Sequence, residues 1–221
     1  MGNLILSGGG SSNQNFKVYE FMINTIEKKE PILYIPLAGD ADFRPHHTSL
    51  DFIKNIFEPL GVKEVTMWTD LNHKTLDELK CFSAIYFSGG STLTLLKTIK
   101  DSGFAKVLRQ YFNGGGTIFG QSAGAIIFGS DVTHTTKEID ISGYNPLNLI
   151  HNYRLWCHYD QIDEELLCEY SKDESTPFIA LSDGGAIHVT KSYCQVITKK
   201  AYEFKDGKKK DLEFVYNSND H

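Results

Sequence analysis

Cysteine is scarce in this chain, and the four present, Cys81, Cys157, Cys168 and Cys194, form no Cys-x-x-Cys pair. That spacing excludes the common zinc and dithiol redox signatures, so no metal and no cofactor is expected. It fits packed, reduced thiols and a cytoplasmic protein. Arginine is scarcer still: Arg44, Arg109 and Arg154 are the only ones. Long apolar runs are missing as well, since no stretch approaches the ~18 residues of a membrane helix. The start, Met1 to Ser7, lacks the basic region and apolar length of a signal peptide. Positive charge is in deficit: the net charge is −6. Phosphate backbones are repelled on average, so nucleic acid is not an expected partner, and without a long apolar stretch neither is a membrane. The one lysine run, Lys208-Lys209-Lys210, follows Asp206-Gly207 and reads as a solvated hairpin turn. Nucleotide-binding loops are absent too. Ser7-Gly8-Gly9-Gly10-Ser11-Ser12 lacks the Gly-x-Gly-x-x-Gly spacing, and no glycine loop is followed by Gly-Lys-Ser/Thr.

What is there is a chain of 221 residues, enough for a single α/β domain spanning 1–221. Short apolar runs alternate with amphipathic stretches. Leu4–Leu6, Ile32–Ile35, Val62–Met67, Ala84–Phe87 and Thr117–Phe119 read as strands. Phe16–Glu27, Asp51–Leu60, Thr92–Lys100 and Phe104–Phe112 read as helices between them. Near-continuous apolar strands separated by helices predict a mostly parallel sheet covered on both faces, a three-layer sandwich. His46 and His47 fall in a loop on this reading. After Gly129 the character changes. Residues 131–150 form a long polar loop, Leu155–Tyr159 a further strand and Ile162–Tyr170 a helix. The last fifty or so residues break into short strands, with Asp183-Gly184-Gly185 and Asp206-Gly207 as hairpin turns.

One motif carries chemistry. Gly120-Gln121-Ser122-Ala123-Gly124 joins a predicted strand to a predicted helix start. In such an elbow the serine backbone is strained and its hydroxyl projects from the sheet edge. The helix start turns its N–H groups toward a developing oxyanion. A serine nucleophile needs a base and the base an orienting acid. His158 ends the strand-like segment Leu155–Tyr159 and is the first candidate by position, with His134 and His151 behind it. A second glycine turn, Ser88-Gly89-Gly90-Ser91-Thr92, also follows a strand and opens a helix. Its N–H groups suit a phosphate or half of an oxyanion hole.

These pieces together resemble the dipeptidase E / cyanophycinase family of serine peptidases, within the class I glutamine amidotransferase-like superfamily. The likeness rests on Ile35–Gly39, Ser88–Thr92 with Leu95-Leu96-Lys97, Gly120–Ala125, Thr135–Glu138, Gly143 with Leu147–Leu149, and His158. The resemblance implies the superfamily's α/β sandwich with extra C-terminal β hairpins. It implies Ser122 as nucleophile, His158 as base and Glu138 as acid, with Asp131 and Asp140 as rivals in the same loop. Gly90 and Ala123 would supply the oxyanion N–H groups. Gln121 replaces a tryptophan of the dipeptidase, and residues 160–171 contain none of its arginine-bearing stretch. The resemblance therefore does not carry a preference for N-terminal aspartate.

The expected activity is hydrolysis of small peptides by a monomer or homodimer. The alternative is a non-enzymatic binding or regulatory protein on the same scaffold. Bidentate capture of a substrate carboxylate favours arginine. Arg44, in the loop after the second strand, and Arg154, just before His158, are the candidates.

Overall fold

The apolar runs do become buried strands, and their alternation sorts the core into two layers. The structure is a computed structural model that describes residues 2–26, 30–135, 143–173, 176–198, 200–212 and 214–216. In chain order the strands are β1 (Asn3–Ser7), β2 (Ile32–Ile35), β3 (Val65–Met67), β4 (Ala84–Phe87), β5 (Thr117–Gln121) and β6 (Arg154–Cys157). They continue with β7 (Phe178–Leu181), β8 (Ala186–Val189), β9 (Tyr193–Val196), β10 (Ala201–Lys205), β11 (Lys208–Asp211) and β12 (Phe214–Tyr216). The helices are α1 (Ser12–Thr25), α2 (His46–Phe57), α3 (Leu76–Leu79), α4 (Thr92–Asp101), α5 (Phe104–Asn113), α6 (Ala123–Ile126) and α7 (Glu164–Asp173).

The large sheet runs in the order β12-β9-β8-β1-β5-β4-β2-β3. Its last five strands are parallel, and β8, β9 and β12 join antiparallel at the other edge. Successive residues of a strand face opposite sides. Ile5, Tyr34, Tyr86 and Phe119 pack with α1 and α2 on one face. Leu4, Leu6, Leu33, Ile85, Phe87 and Ile118 pack with α4, α5 and α6 on the other. This is the three-layer sandwich expected of the class I glutamine amidotransferase-like fold. A second sheet, β11-β10-β7-β6, packs against α7 through Tyr159, Leu167, Phe178 and Phe204.

Several boundaries differ from the sequence reading. Helix α1 starts earlier, at Ser12, because Ser11 and Gln14 form a reciprocal cap: the Gln14 N–H donates to Ser11 Oγ at 3.4 Å and the Ser11 N–H to Gln14 Oε1 at 2.8 Å. Helix α2 begins directly after Pro45, so His46 and His47 lie in its first turn and not in a loop. The lysine run is not a solvated turn. It is edge strand β11, paired with β10 across the Asp206-Gly207 turn. An edge strand tolerates lysines, which also discourage pairing with another chain. Lys209 and Lys210 pair with Glu164 and Glu203, at 2.7 and 2.6 Å. The Asp183-Gly184-Gly185 turn is likewise no hairpin. It carries the chain from β7 in the small sheet to β8 in the large one.

Candidate active site

Strand β5 ends at Gln121, and Ser122 stands at φ 52°, ψ −118° before α6 begins. An L-residue in that region is strained, and here the strain lifts the hydroxyl off the sheet edge. The elbow needs a glycine where its helix meets β4: a Cβ on Gly124 would lie 2.4 Å from the Phe87 carbonyl oxygen. His158 follows β6, also at positive φ, and its Nε2 lies 2.7 Å from Ser122 Oγ. Its Nδ1 lies 2.7 Å from Asp183 Oδ1. A carboxylate at Nδ1 holds the proton on that nitrogen and leaves Nε2 to accept from the serine hydroxyl. The His158 and Asp183 side chains are 55% and 43% exposed, so a bound substrate has to supply much of the water exclusion.

One turn organises all three residues. Successive carbonyls where β1 ends and the glycine run begins receive N–H groups from each part of the site. Ser122 N–H donates to Ser7 O at 3.0 Å, His158 N–H to Gly8 O at 3.0 Å, and Gly184 N–H, beside Asp183, to Gly9 O at 2.9 Å. The turn is pinned from below by Asn15, which is fully buried on α1. Its amide donates to Gly9 O at 2.8 Å, and its Oδ1 accepts from the buried Ser7 hydroxyl at 2.5 Å. Gly9, at φ +114°, passes directly against the imidazole, where a Cβ would fall 2.1 Å from His158 Cε1.

The other expected residues are placed as follows. Gly89 faces the nucleophile, since a Cβ there would lie 3.2 Å from Ser122 Cβ. Gly90 has φ +141° and is pressed against the Ala38 carbonyl, 2.0 Å from an added Cβ. The N–H groups of Gly89, Gly90 and Ala123 find no acceptor among the described residues. Glu138 and Asp140 lie outside the described residues. Asp131 is turned to its own loop, accepting from the Thr133 N–H at 2.9 Å and hydroxyl at 2.7 Å. His134 lies under the site: its Nε2 bonds the Leu155 carbonyl at 3.0 Å, its ring stacks on Trp156, and burial lowers its pKa to about 4. Cys157 packs behind Ser122, and burial raises its thiol far above the ordinary range, which leaves no thiolate to compete as nucleophile.

The two arginines separate. Arg154 is a correction: it is 2% exposed, lies 3.8 Å over the Phe178 ring and donates to the Thr176 carbonyl at 2.9 Å. Its strand position points it into the small sheet's packing and not toward substrate. Arg44 lines a cleft of about 280 Å³ together with Tyr34, Tyr86, Ser88, Gly89 and Gln121. Its guanidinium stacks 5.1 Å over Phe52, and no carboxylate pairs with it among the described residues. Gln121 walls this cleft, accepting from the Tyr86 hydroxyl and donating to Gly10 O at 3.3 Å.

Sequence reasoning missed Asp183, Gly9 and Asn15. The available signal for Asp183 was an acidic residue two positions after a buried strand, β7, which pairs with β6, the strand that His158 follows. Among the described residues no group of three or more His, Cys, Asp or Glu side chains is arranged to hold a metal. No described helix is long and apolar enough to cross a membrane. The arrangement is suited to acyl transfer through a serine ester: a hydroxyl, a base oriented by a carboxylate, and free N–H donors beside them.

Comparison with known proteins agrees with that chemistry. Peptidase E of Haemophilus influenzae is 26% identical over 183 residues, 77% of this chain and 82% of that protein. An uncharacterized peptidase of Listeria monocytogenes is 28% identical over 183 residues, 76% of this chain and 85% of that protein. The crystal structure of a peptidase from an acI-B1 actinobacterium superposes with a TM-score of 0.72 at 20% identity, covering 98% of this chain and 97% of that one. A putative peptidase E from Listeria monocytogenes gives a TM-score of 0.64 at 21% identity, covering 96% and 100%. At such identities the two structures speak for the fold alone. The family model of peptidase family S51 matches residues 4–197, and the chain belongs to that family of serine peptidases.

Proposed function

We propose that the protein hydrolyses small peptides through Ser122, His158 and Asp183. Ser122 Oγ attacks the scissile carbonyl while His158 Nε2 takes its proton. His158 returns that proton to the leaving amine, and a water then hydrolyses the ester with the same base. Asp183 orients the ring and stabilises the imidazolium. It takes the part that the resemblance assigned to Glu138. The continuous bonds Ser122–His158–Asp183, both 2.7 Å, carry this reading. Gly90 and Ala123 are the proposed oxyanion donors, joined by Gly89. Arg44 is the proposed contact for an acidic group of the substrate, from its place in the cleft beside Gly89. The enzyme is proposed to act as a single-domain monomer or homodimer in the cytoplasm, without metal, cofactor or nucleic acid.

Labelling with a serine-directed fluorophosphonate tests the core of the proposal. Wild type should label, Ser122→Ala should not, and Ser122→Ala should lose peptide hydrolysis by several orders of magnitude. A wild type that neither labels nor cleaves any peptide would leave a binding protein on a peptidase scaffold.

A further inference from the structure

Helix α1 buries one face, along the positions Asn15, Val18, Tyr19, Met22 and Ile23. Their spacing is the i, i+3, i+4, i+7, i+8 stripe of an amphipathic helix, where an apolar or aromatic side chain is the rule. The last four positions obey it and the first holds an amide. Asn15 is fully buried, and burying an amide is unfavourable unless its polar atoms find partners. Resting on the peptidase reading above, we infer that Asn15, together with Ser7, is a positioning residue for the reaction. The two set the His158–Asp183 pair through the backbone of Gly9, without touching substrate.

Three bonds close a ring around Gly9. The Ser7 hydroxyl donates to Asn15 Oδ1 at 2.5 Å, the Gly9 N–H donates to Ser7 Oγ at 3.3 Å, and Asn15 Nδ2 donates to Gly9 O at 2.8 Å. Nδ2 also donates to Ser11 O at 3.0 Å. The directions are fixed by the atom types. Two carbonyls need the amide's two donors, so its oxygen faces Ser7, and the serine hydroxyl is left to accept from Gly9. Ser7 reaches α1 because it follows Ile5 on the same face of β1, and it is fully buried too. Both polar groups of the Gly9 backbone are therefore held from the helix side.

Gly9 in turn holds both the base and its acid. Its Cα lies against the imidazole, where an added Cβ would fall 2.1 Å from His158 Cε1. Its carbonyl, already bonded by Asn15, also accepts the Gly184 N–H at 2.9 Å, one residue from Asp183. A displacement of Gly9 thus disturbs both ends of the 2.7 Å bond between His158 Nδ1 and Asp183 Oδ1. Asn15 has no surface to offer a substrate, so its influence falls on the alignment of the reacting groups and appears in kcat, not in KM.

The experiment measures Asn15→Leu and Ser7→Ala, each in the wild-type and the Asp183→Asn background, by steady-state peptide hydrolysis and fluorophosphonate labelling. Leucine is close to asparagine in volume and continues the apolar stripe. Asn15→Leu should lower kcat by about ten- to a hundredfold with KM within about twofold, and labelling should slow in step. In Asp183→Asn the same change should lower kcat by less than about threefold, because the alignment it serves is already lost. Ser7→Ala should show the same pattern with a smaller loss, and it decides by the same criteria if Asn15→Leu does not fold. A merely structural role predicts equal losses in both backgrounds, and that result overturns the inference. So does a loss that sits in KM, or a kcat within about threefold of wild type for Asn15→Leu. A wild type that neither labels nor cleaves removes the peptidase reading and this inference together. An active wild type with an unimpaired Asn15→Leu removes this inference alone.

Discussion

Gly9→Ala tests the template turn with a single methyl group. The added Cβ would sit 2.1 Å from His158 Cε1, 2.8 Å from Nδ1 and 2.9 Å from Nε2. Carbon atoms in contact normally stand about 3.5 Å apart, so ring and turn must separate by roughly 1.4 Å. The turn cannot give easily. Its carbonyls hold the N–H groups of Ser122, His158 and Gly184, and Asn15 holds it from the buried side. The imidazole is half-exposed and is the part that moves. A shift of that size takes the 2.7 Å bond between Ser122 Oγ and His158 Nε2 out of hydrogen-bond range. Misplacing a catalytic group by about 1 Å costs on the order of 10² in rate, and kcat is expected to fall at least that far. The fold should survive. Alanine at φ +114° adds about 1–3 kcal/mol of strain, against a typical stability of about 5–15 kcal/mol. For a chain of this size that lowers Tm by roughly 2–12 °C. The assays are steady-state dipeptide hydrolysis, the rate of fluorophosphonate labelling, and thermal unfolding followed by circular dichroism. Labelling should slow along with kcat. A Gly9→Ala enzyme within about threefold of wild type in kcat would refute the reasoning, because the contact would then not constrain the ring.

Asp183→Asn should keep the geometry but remove the charge facing the imidazolium, lowering kcat by about 10²–10⁴ with little change in KM; near-normal turnover would return the acid's part to another carboxylate. Gly90→Val should cut the rate by more than about tenfold in a protein that still folds, because its Cβ meets the backbone of Ala38 and the turn has to shift from its place. Its control is the far-ultraviolet spectrum, and full activity would remove Gly90 from the oxyanion site. His134 predicts a pH dependence of stability. Burial depresses its folded pKa to about 4 from the ordinary histidine value of 6.5, so the unfolded chain binds the proton first as pH falls. Stability should be whole above about pH 6.5 and decline toward pH 4 by roughly 3 kcal/mol, and His134→Gln should flatten that slope in urea titrations at pH 7.5 and pH 5. An unchanged slope would mean that His134 is protonated in the folded state. Arg44→Ala should raise KM for acidic peptides more than for neutral ones; equal effects on both would leave Arg44 as a wall of the cleft only.

Local sequence determined the parts whose meaning is local. The strand–glycine–serine–glycine run could only bend sharply, so Ser122 was legible, and the short doubly buried strands dictated a covered parallel sheet. His158 was legible because it ends a strand-like segment, and a strand delivers the residue that follows it to a sheet edge. Asp183 was not. In sequence it is one more Asp-Gly turn, like Asp206-Gly207, and nothing local separates the two. The difference arises because β7 pairs with β6 and β10 while β8 pairs with β1, so this one turn crosses between sheets and brings its carboxylate to His158. Arg154 and the Lys208–Lys210 run were misread for the same reason. Strand position and pairing decide whether a long cationic side chain is buried on a ring or left at an edge. The glycines at 8, 9 and 10 looked like the end of a strand, which they are. That the carbonyls of Ser7, Gly8 and Gly9 receive N–H groups from three distant parts of the chain is a property of contacts more than a hundred residues apart in sequence, and only the closed tertiary structure makes them.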